Sequence, residues 1–269
     1  MQIHGHTIQS EIFDFDQYAA LFERKKNFHL GADEKKWSGA TVTQAKKLLQ
    51  HGDTSQVARA ERLQETFSNE YEIESPRLEM ASDVVGAFPN VPAMLANVPE
   101  NMMRPIATPS HGGEIVICAE QFISVSFNKS EYERRGAALL ALVQYLQAIR
   151  PVRLVVLSSM ARDRMDKDAI LTLVDLPANP LDIARAGFLL SHVAAFRIFG
   201  LQRYYDLGGE STVPWRAGES DKLAILRTIL DCENIILTPN LVSKTGESPF
   251  KADASAAQWV QSKIDAALS

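Results

Sequence analysis

Cysteine is scarce: Cys118 and Cys232 are the only two in 269 residues, and both lie in apolar surroundings. Two distant thiols make no disulfide framework and no closed zinc site. The first residues, Met1 to His6, lack the basic patch and apolar run of a secretory leader. A reducing, cytoplasmic setting is expected. Long apolar runs are also missing. The longest, Ala137 to Ile149, is interrupted by Gln144 and Gln147 and falls short of the ~20 residues that span a bilayer, so no membrane partner is expected. Basic charge is not in excess either: 28 Lys and Arg against 33 Asp and Glu give a net −5. That disfavours a whole-chain electrostatic grip on duplex nucleic acid. Phosphate-cradling glycine loops are absent. Leu207-Gly208-Gly209-Glu210 follows a helical pattern rather than a strand, and Lys244-Thr245-Gly246-Glu247 has the wrong order for a P-loop.

What is present is an ordinary globular composition, 46% hydrophobic and 23% charged. Two unlike halves are expected. Residues 1–110 read as a helical and irregular N-terminal region. Phe15, Tyr18, Leu21 and Phe22 recur at helical spacing, and Val42, Ala45, Leu48 and Leu49 mark a helix that His51-Gly52 closes. Val57, Ala60, Leu63 and Phe67 mark a third, capped by Thr54 or Ser55. From Pro76 to Pro109, six prolines read as an irregular connector with one short helix, capped by Asn90 with Pro92 in its first turn. Residues 111–269 read as an α/β domain with a mostly parallel sheet sandwiched by helices. Expected strands are Ile115–Ala119, Phe122–Ser126, Val152–Leu157, Ile170–Val174 and Asn234–Leu237. Expected helices run from Ser130 to about Ile149, from Pro180 to Phe199, from Lys222 to Leu230, and over the Trp259–Leu268 stripe. Gly136, inside a helix, implies close approach of another backbone, with the Asp83–Pro92 connector as the expected neighbour.

Three stretches carry a resemblance. Asp83-Val84-Val85-Gly86-Ala87-Phe88-Pro89-Asn90-Val91-Pro92-Ala93-Met94-Leu95 with Met102 is the first. Arg134-Arg135-Gly136-Ala137-Ala138-Leu139 is the second, and Ser191-His192-Val193-Ala194-Ala195-Phe196-Arg197 the third. Together they resemble an uncharacterised family of tailed-bacteriophage proteins. The resemblance implies a phage-encoded protein of the host cytoplasm or the virion, and it brings no catalytic residues.

Candidate chemistry is sparse. A hard-cation site of the von Willebrand type would need an aspartate leading its serines; Ser126-Phe127-Asn128 and Ser158-Ser159 have none, leaving only Asp163, Asp166 or Asp175. Ser158 or Ser159, Asp175 and His192 contain the residue types of a hydrolytic triad, but Gly-x-Ser-x-Gly is missing, and His192 among Leu189, Leu190 and Val193 reads as a packing residue. Cys118 in an apolar strand reads as an inert thiol. His4 and His6 are a chance pair of chelators. No metal, cofactor or catalytic residue is therefore assigned. Arg197, Arg203, Tyr204, Tyr205, Trp215 and Arg216 combine arginines with aromatic rings, the composition that holds phosphates and stacks bases, and read as a surface loop contacting single-stranded nucleic acid. Arg150, Arg153, Arg162 and Arg164 add positive charge nearby.

The leading expectation is thus an accessory binding protein in replication or transcription, contacting single-stranded nucleic acid, a polymerase or another phage protein. The alternatives are a nucleotide- or phosphate-handling enzyme with a strand-end site around Ser158, Ser159, Asp163 and Asp175, and a virion structural or assembly component.

Overall fold

A computed structural model describes residues 2–3, 5–29, 38–70, 78–83, 88–96, 98–99, 101–107, 113–122, 128–147, 150–162, 168–176, 181–210, 213–238 and 248–268. The protein is α/β. Among the described residues, its main sheet has six strands: β1 (Gln2–Ile3), β2 (His6–Asp14), β6 (Ile115–Glu120), β7 (Val152–Ala161), β8 (Asp168–Leu176) and β9 (Ile235–Thr238), in the order β1-β2-β8-β7-β6-β9. The pairs β2/β8, β6/β7 and β6/β9 are parallel, whereas β1/β2 and β7/β8 are antiparallel. The sheet is therefore mixed, not mostly parallel. The reason lies in chain length. Both β7 and β8 run further than their apolar cores suggest, leaving only residues 162–167 between them. A parallel return needs a crossover of about a dozen residues or more. The continuous apolar runs Val152–Leu157 and Ile170–Val174 do form interior strands, buried on both sides.

A second sheet, β3 (Leu78–Asp83), β4 (Phe88–Pro89) and β5 (Met102–Ala107), is antiparallel in the order β3-β5-β4. The proline-rich connector is thus built on strands. Its one short helix, α4 (Val91–Leu95), is present as expected, with the Asn90 side chain accepting from the Ala93 amide and Pro92 in the first turn.

The N-terminal third is not simply helical, because β2 lies in the main sheet beside β8, pairing from Thr7↔Asp168 to Asp14↔Asp175. Asp14 then caps α1 (Phe15–Glu23) through a capping box with Gln17. Thr41 and Gln44 do the same for α2 (Val42–His51). Gly52 closes α2 at φ 79°, and a Cβ there would stand 2.4 Å from the Ala184 carbonyl carbon. Asp53, rather than Thr54 or Ser55, caps the next turn, which leads into α3 (Val57–Glu70).

Helix α5 (Lys129–Gln147) connects β6 to β7, and most of its residues are buried. Gly136 is where it meets α6 (Ile183–Ser191): an added Cβ would lie 2.9 Å from the Leu190 carbonyl carbon. The close approach expected at Gly136 is real, but its partner is α6, not the connector. The helix expected from Pro180 to Phe199 is broken. His192 is extended (φ −99°, ψ 123°), a π-helical turn follows over Ala195–Gly200, and α7 is Leu201–Asp206. The two segments meet at a bend of 75°. The C-terminal elements are α8 (Glu219–Leu230) and α9 (Asp253–Leu268). The strand expected over Phe122–Ser126 lies outside the described residues beyond Phe122, as does the 84–87 part of the first resemblance stretch.

Alternate side chains of the strands enter two separate apolar clusters. Ile115, Ile117 and Ala119 of β6 join residues of α1, α2, α5, α6 and α9. Val116 and Cys118 join Trp215 and the α8 residues Ile225, Leu226 and Leu230. The period-2 alternation of a strand produces this division. Among the described residues, no single helix is long and apolar enough to cross a membrane.

Candidate functional site

The alternation along β6 puts Val116, Cys118 and then Glu120 on the α8 side. The strand ends on a carboxylate that is only 3% exposed. An isolated buried charge is very costly, and Glu120 is answered by the ammonium of Lys222, in the first turns of α8, at 2.7 Å. Lys222 is itself 8% exposed. Strand β7 overhangs β6, so Ser159 reaches the same carboxylate and donates to its Oε1 at 3.0 Å. Beside them, the Thr238 hydroxyl at the end of β9 accepts from the Glu120 amide at 3.2 Å and from the buried Arg135 guanidinium at 2.8 Å. Arg135 also donates to the Glu120 carbonyl. Burial pushes its pKa down, opposed by Tyr132 and Glu120.

Glu120, Lys222 and Thr238, with Leu237, form the floor of a cavity of about 330 Å³ walled by Ala217, Glu219, Trp259 and Lys263; Ser159 and Arg135 support that floor from behind it. The cavity opens at the C-terminal ends of two neighbouring parallel strands, β6 and β9. Open α/β sheets bind ligands at such ends, because helix N-termini and loops converge there. Helix α8 starts at its rim, and its N-cap, Gly218, contributes no side-chain hydrogen bond. Cys118, one pleat below Glu120, is fully buried. Burial first, and the Glu120 carboxylate second, hold its thiol far above the ordinary range, so it is no nucleophile.

The strand-end residues expected from the sequence do not come together. Ser159 supports the floor through its bond to Glu120, but Ser158 faces the other way, its hydroxyl against Gly200. Asp175 is paired with Arg153 at 2.6 Å, several rungs away, because β8 runs opposite to β7. Asp163, Asp166 and Arg164 lie outside the described residues. His192 completes no triad: its Nδ1 accepts from the Ala194 amide at 3.1 Å. Among the described residues, no group of three His, Cys, Asp or Glu is placed to hold a metal ion.

The arginine–aromatic segment is not the surface loop expected. Arg203–Asp206 are helical, and Tyr204 is buried with its hydroxyl donating to the Ala161 carbonyl at 2.9 Å. Trp215 is 1% exposed, edge-on to His6 and beneath the Lys222 ammonium. Half-buried Tyr205 packs against His29 and Tyr204. Arg203 is bound by Glu11, its Nε at 2.8 Å. Arg197 is half-buried in the π-helical turn, and burial lowers its pKa. Arg216 alone of the six is fully on the surface. Two of the other nearby arginines also have protein partners: Arg150 the backbone carbonyls of Gly113 and Ala267, and Arg162 the side-chain oxygen of Gln9 and the Leu207 carbonyl. The buried rings of Tyr204 and Trp215 offer no face to a base, and only Tyr205 keeps part of its ring accessible.

Glu120 and Lys222 escape a reading of the sequence alone, since each looks like the polar terminus of an apolar element. The available signal was a carboxylate directly ending the run Ile115-Val116-Ile117-Cys118-Ala119.

A family described as a domain of unknown function, DUF7192, matches residues 9–226. The chain belongs to this family. The match takes in β2 through most of α8, and so includes Glu120, Ser159 and Lys222 but not Thr238, Trp259 or Lys263. No curated protein and no solved structure matches the chain. The family description names no activity and no source, so it adds nothing to the resemblance to phage proteins.

Proposed function

We propose that this protein binds a small polar molecule at the C-terminal ends of β6 and β9, in the class of the small-ligand alternative rather than the nucleic-acid one. The buried Glu120–Lys222 pair on the floor of an open cavity carries the reading. A buried ion pair adds little to stability compared with apolar residues of the same volume, and removing one partner costs several kcal/mol. An ion pair at that depth, facing space instead of core, is better explained by what it meets there. The location supports the same reading, at parallel strand ends with a helix start at the rim. So do the two apolar clusters, which suit helices over both sheet faces and a firm support for the floor. Contact with single-stranded nucleic acid through Arg203–Arg216 is less favoured because its rings are occupied. A polymerase or virion partner would have the exposed Val91, Met94, Leu95 and Val98 to contact, but no charged or polar group is paired with them to specify it among the described residues.

The test is a thermal-shift panel of inorganic phosphate, mononucleotides and the free amino acids at millimolar concentration. It compares the native chain with the double variant Glu120→Gln/Lys222→Met, which removes both charges together. At least one probe should raise the Tm of the native chain, since a ligand at 100 times its Kd adds about 2.7 kcal/mol. It should leave the double variant unmoved. A panel in which no probe stabilises the native chain, or in which every active probe also stabilises the double variant, overturns the proposal.

A further inference from the structure

The charges of the cavity come in opposite pairs, and one pair is already spent. Glu120 and Lys222 neutralise each other on the floor at 2.7 Å. On the walls stand one more carboxylate, Glu219, and one more ammonium, Lys263. Among the described residues, neither Glu219 nor Lys263 takes part in an ion pair. They sit on different walls: Glu219 begins α8, which packs on the cluster of Trp215 and Ile225, and Lys263 lies on α9, which packs on the cluster of Phe250 and Val260. Lys263 is held over the face of Trp259, its ammonium 6.0 Å from the ring centroid.

We infer that the ligand is a zwitterion of free amino-acid size, its carboxylate met by Lys263 and its ammonium by Glu219. This rests on the reading of the cavity as a small-molecule site and narrows it. The argument is one of charge complementarity. A lining with no net charge and one open group of each sign leaves a monoanion facing Glu219 and a monocation facing Lys263, each an unfavourable meeting. A molecule carrying both signs satisfies both walls. Size points the same way. About 330 Å³ is near the lower end of the ~300–1,000 Å³ that small-molecule sites span, which suits an amino acid better than a nucleotide. The apolar lining of Leu237, Ala217 and Trp259 leaves room for an uncharged side chain.

Calorimetric titration of the full chain with each free amino acid, its N-acetyl form and its amide provides the test, with inorganic phosphate and AMP as further probes. At least one free amino acid should bind, and both blocked forms, each lacking one charge, should bind at least tenfold more weakly. Lys263→Met should weaken the free amino acid at least tenfold and leave the amide unchanged. Glu219→Gln should do the same with the N-acetyl form as the unaffected probe. Both are wall positions, so folding is retained and is checked by unchanged Tm. Phosphate or AMP binding where no amino acid does would overturn the zwitterion and leave the small-molecule site standing. So would blocked forms that bind as well as the free one. A chain that binds none of the probes, in this titration and in the thermal panel, loses both.

Discussion

Trp215 illustrates why the residue scale is where composition misleads. An arginine–aromatic cluster reads the same whether it lies on a surface or inside. The partner that decides the matter for Arg203 is Glu11, far away in sequence, and the ring that meets Trp215 is His6. Neither is visible in the local run Arg203–Arg216. With 1% of its surface exposed, Trp215 is an anchor under α8 and β7. Trp215→Ala should cost about 3–5 kcal/mol, the usual range for removing a large core aromatic. Urea denaturation would read this as a lower midpoint. A midpoint that does not move would return the ring to the surface and revive base stacking.

At the scale of elements, much was legible. The caps at Asn90 and Gly52, the buried strands Val152–Leu157 and Ile170–Val174, and the tightness at Gly136 all follow from local rules. Two features were not. The direction of β8 depends on the length of the turn before it, and apolar runs hide where a strand really ends. The break at His192 is hidden because Ser191-His192-Val193 carries neither proline nor glycine. What makes the break is a side-chain cap, the Ala194 amide donating to His192 Nδ1. This cap is sensitive to acid. Burial lowers the pKa of His192 from its ordinary 6.5, opposed by Asp53 and Glu133 and aided by Lys129. The unfolded chain therefore binds the proton more readily than the folded one. The stabilising contribution of neutral His192 is complete above about pH 6.5 and is lost as pH falls from there towards the lowered folded value. Once protonated, Nδ1 also stops accepting. His192→Asn keeps an acceptor and loses the titration. Stability measured from pH 7.5 to 5 should fall more steeply in the native chain than in this variant. Parallel slopes would show that other groups set the acid response.

Over the whole molecule, the division at residue 110 reflects composition rather than construction. Helices α1, α2 and α3 place Phe22, Leu49 and Ala60 in the same apolar cluster as α5 and α6, and β2 pairs with β8 from Asp168 to Asp175. A fragment of residues 111–269 would bare both the cluster and a strand edge, and such edges invite aggregation. Expressed alone, it should show no cooperative thermal transition, while the full chain should unfold in one. A sharp transition from the fragment would restore two independent units. The sequence could indicate that a core existed but not which segments shared it, because long-range pairing leaves no local mark.

The pairing of β2 with β8 also orders events during synthesis. Thr7 leaves the ribosome well ahead of its partner Asp168, which follows only after β6, α5 and β7 have been made. Through that interval, β2 has only the short β1 to pair with, and its β8 edge stays open. The hairpin of β7 and β8 can close as soon as it emerges, so β2, although made before β6, α5 and β7, is seated only once β8 has followed.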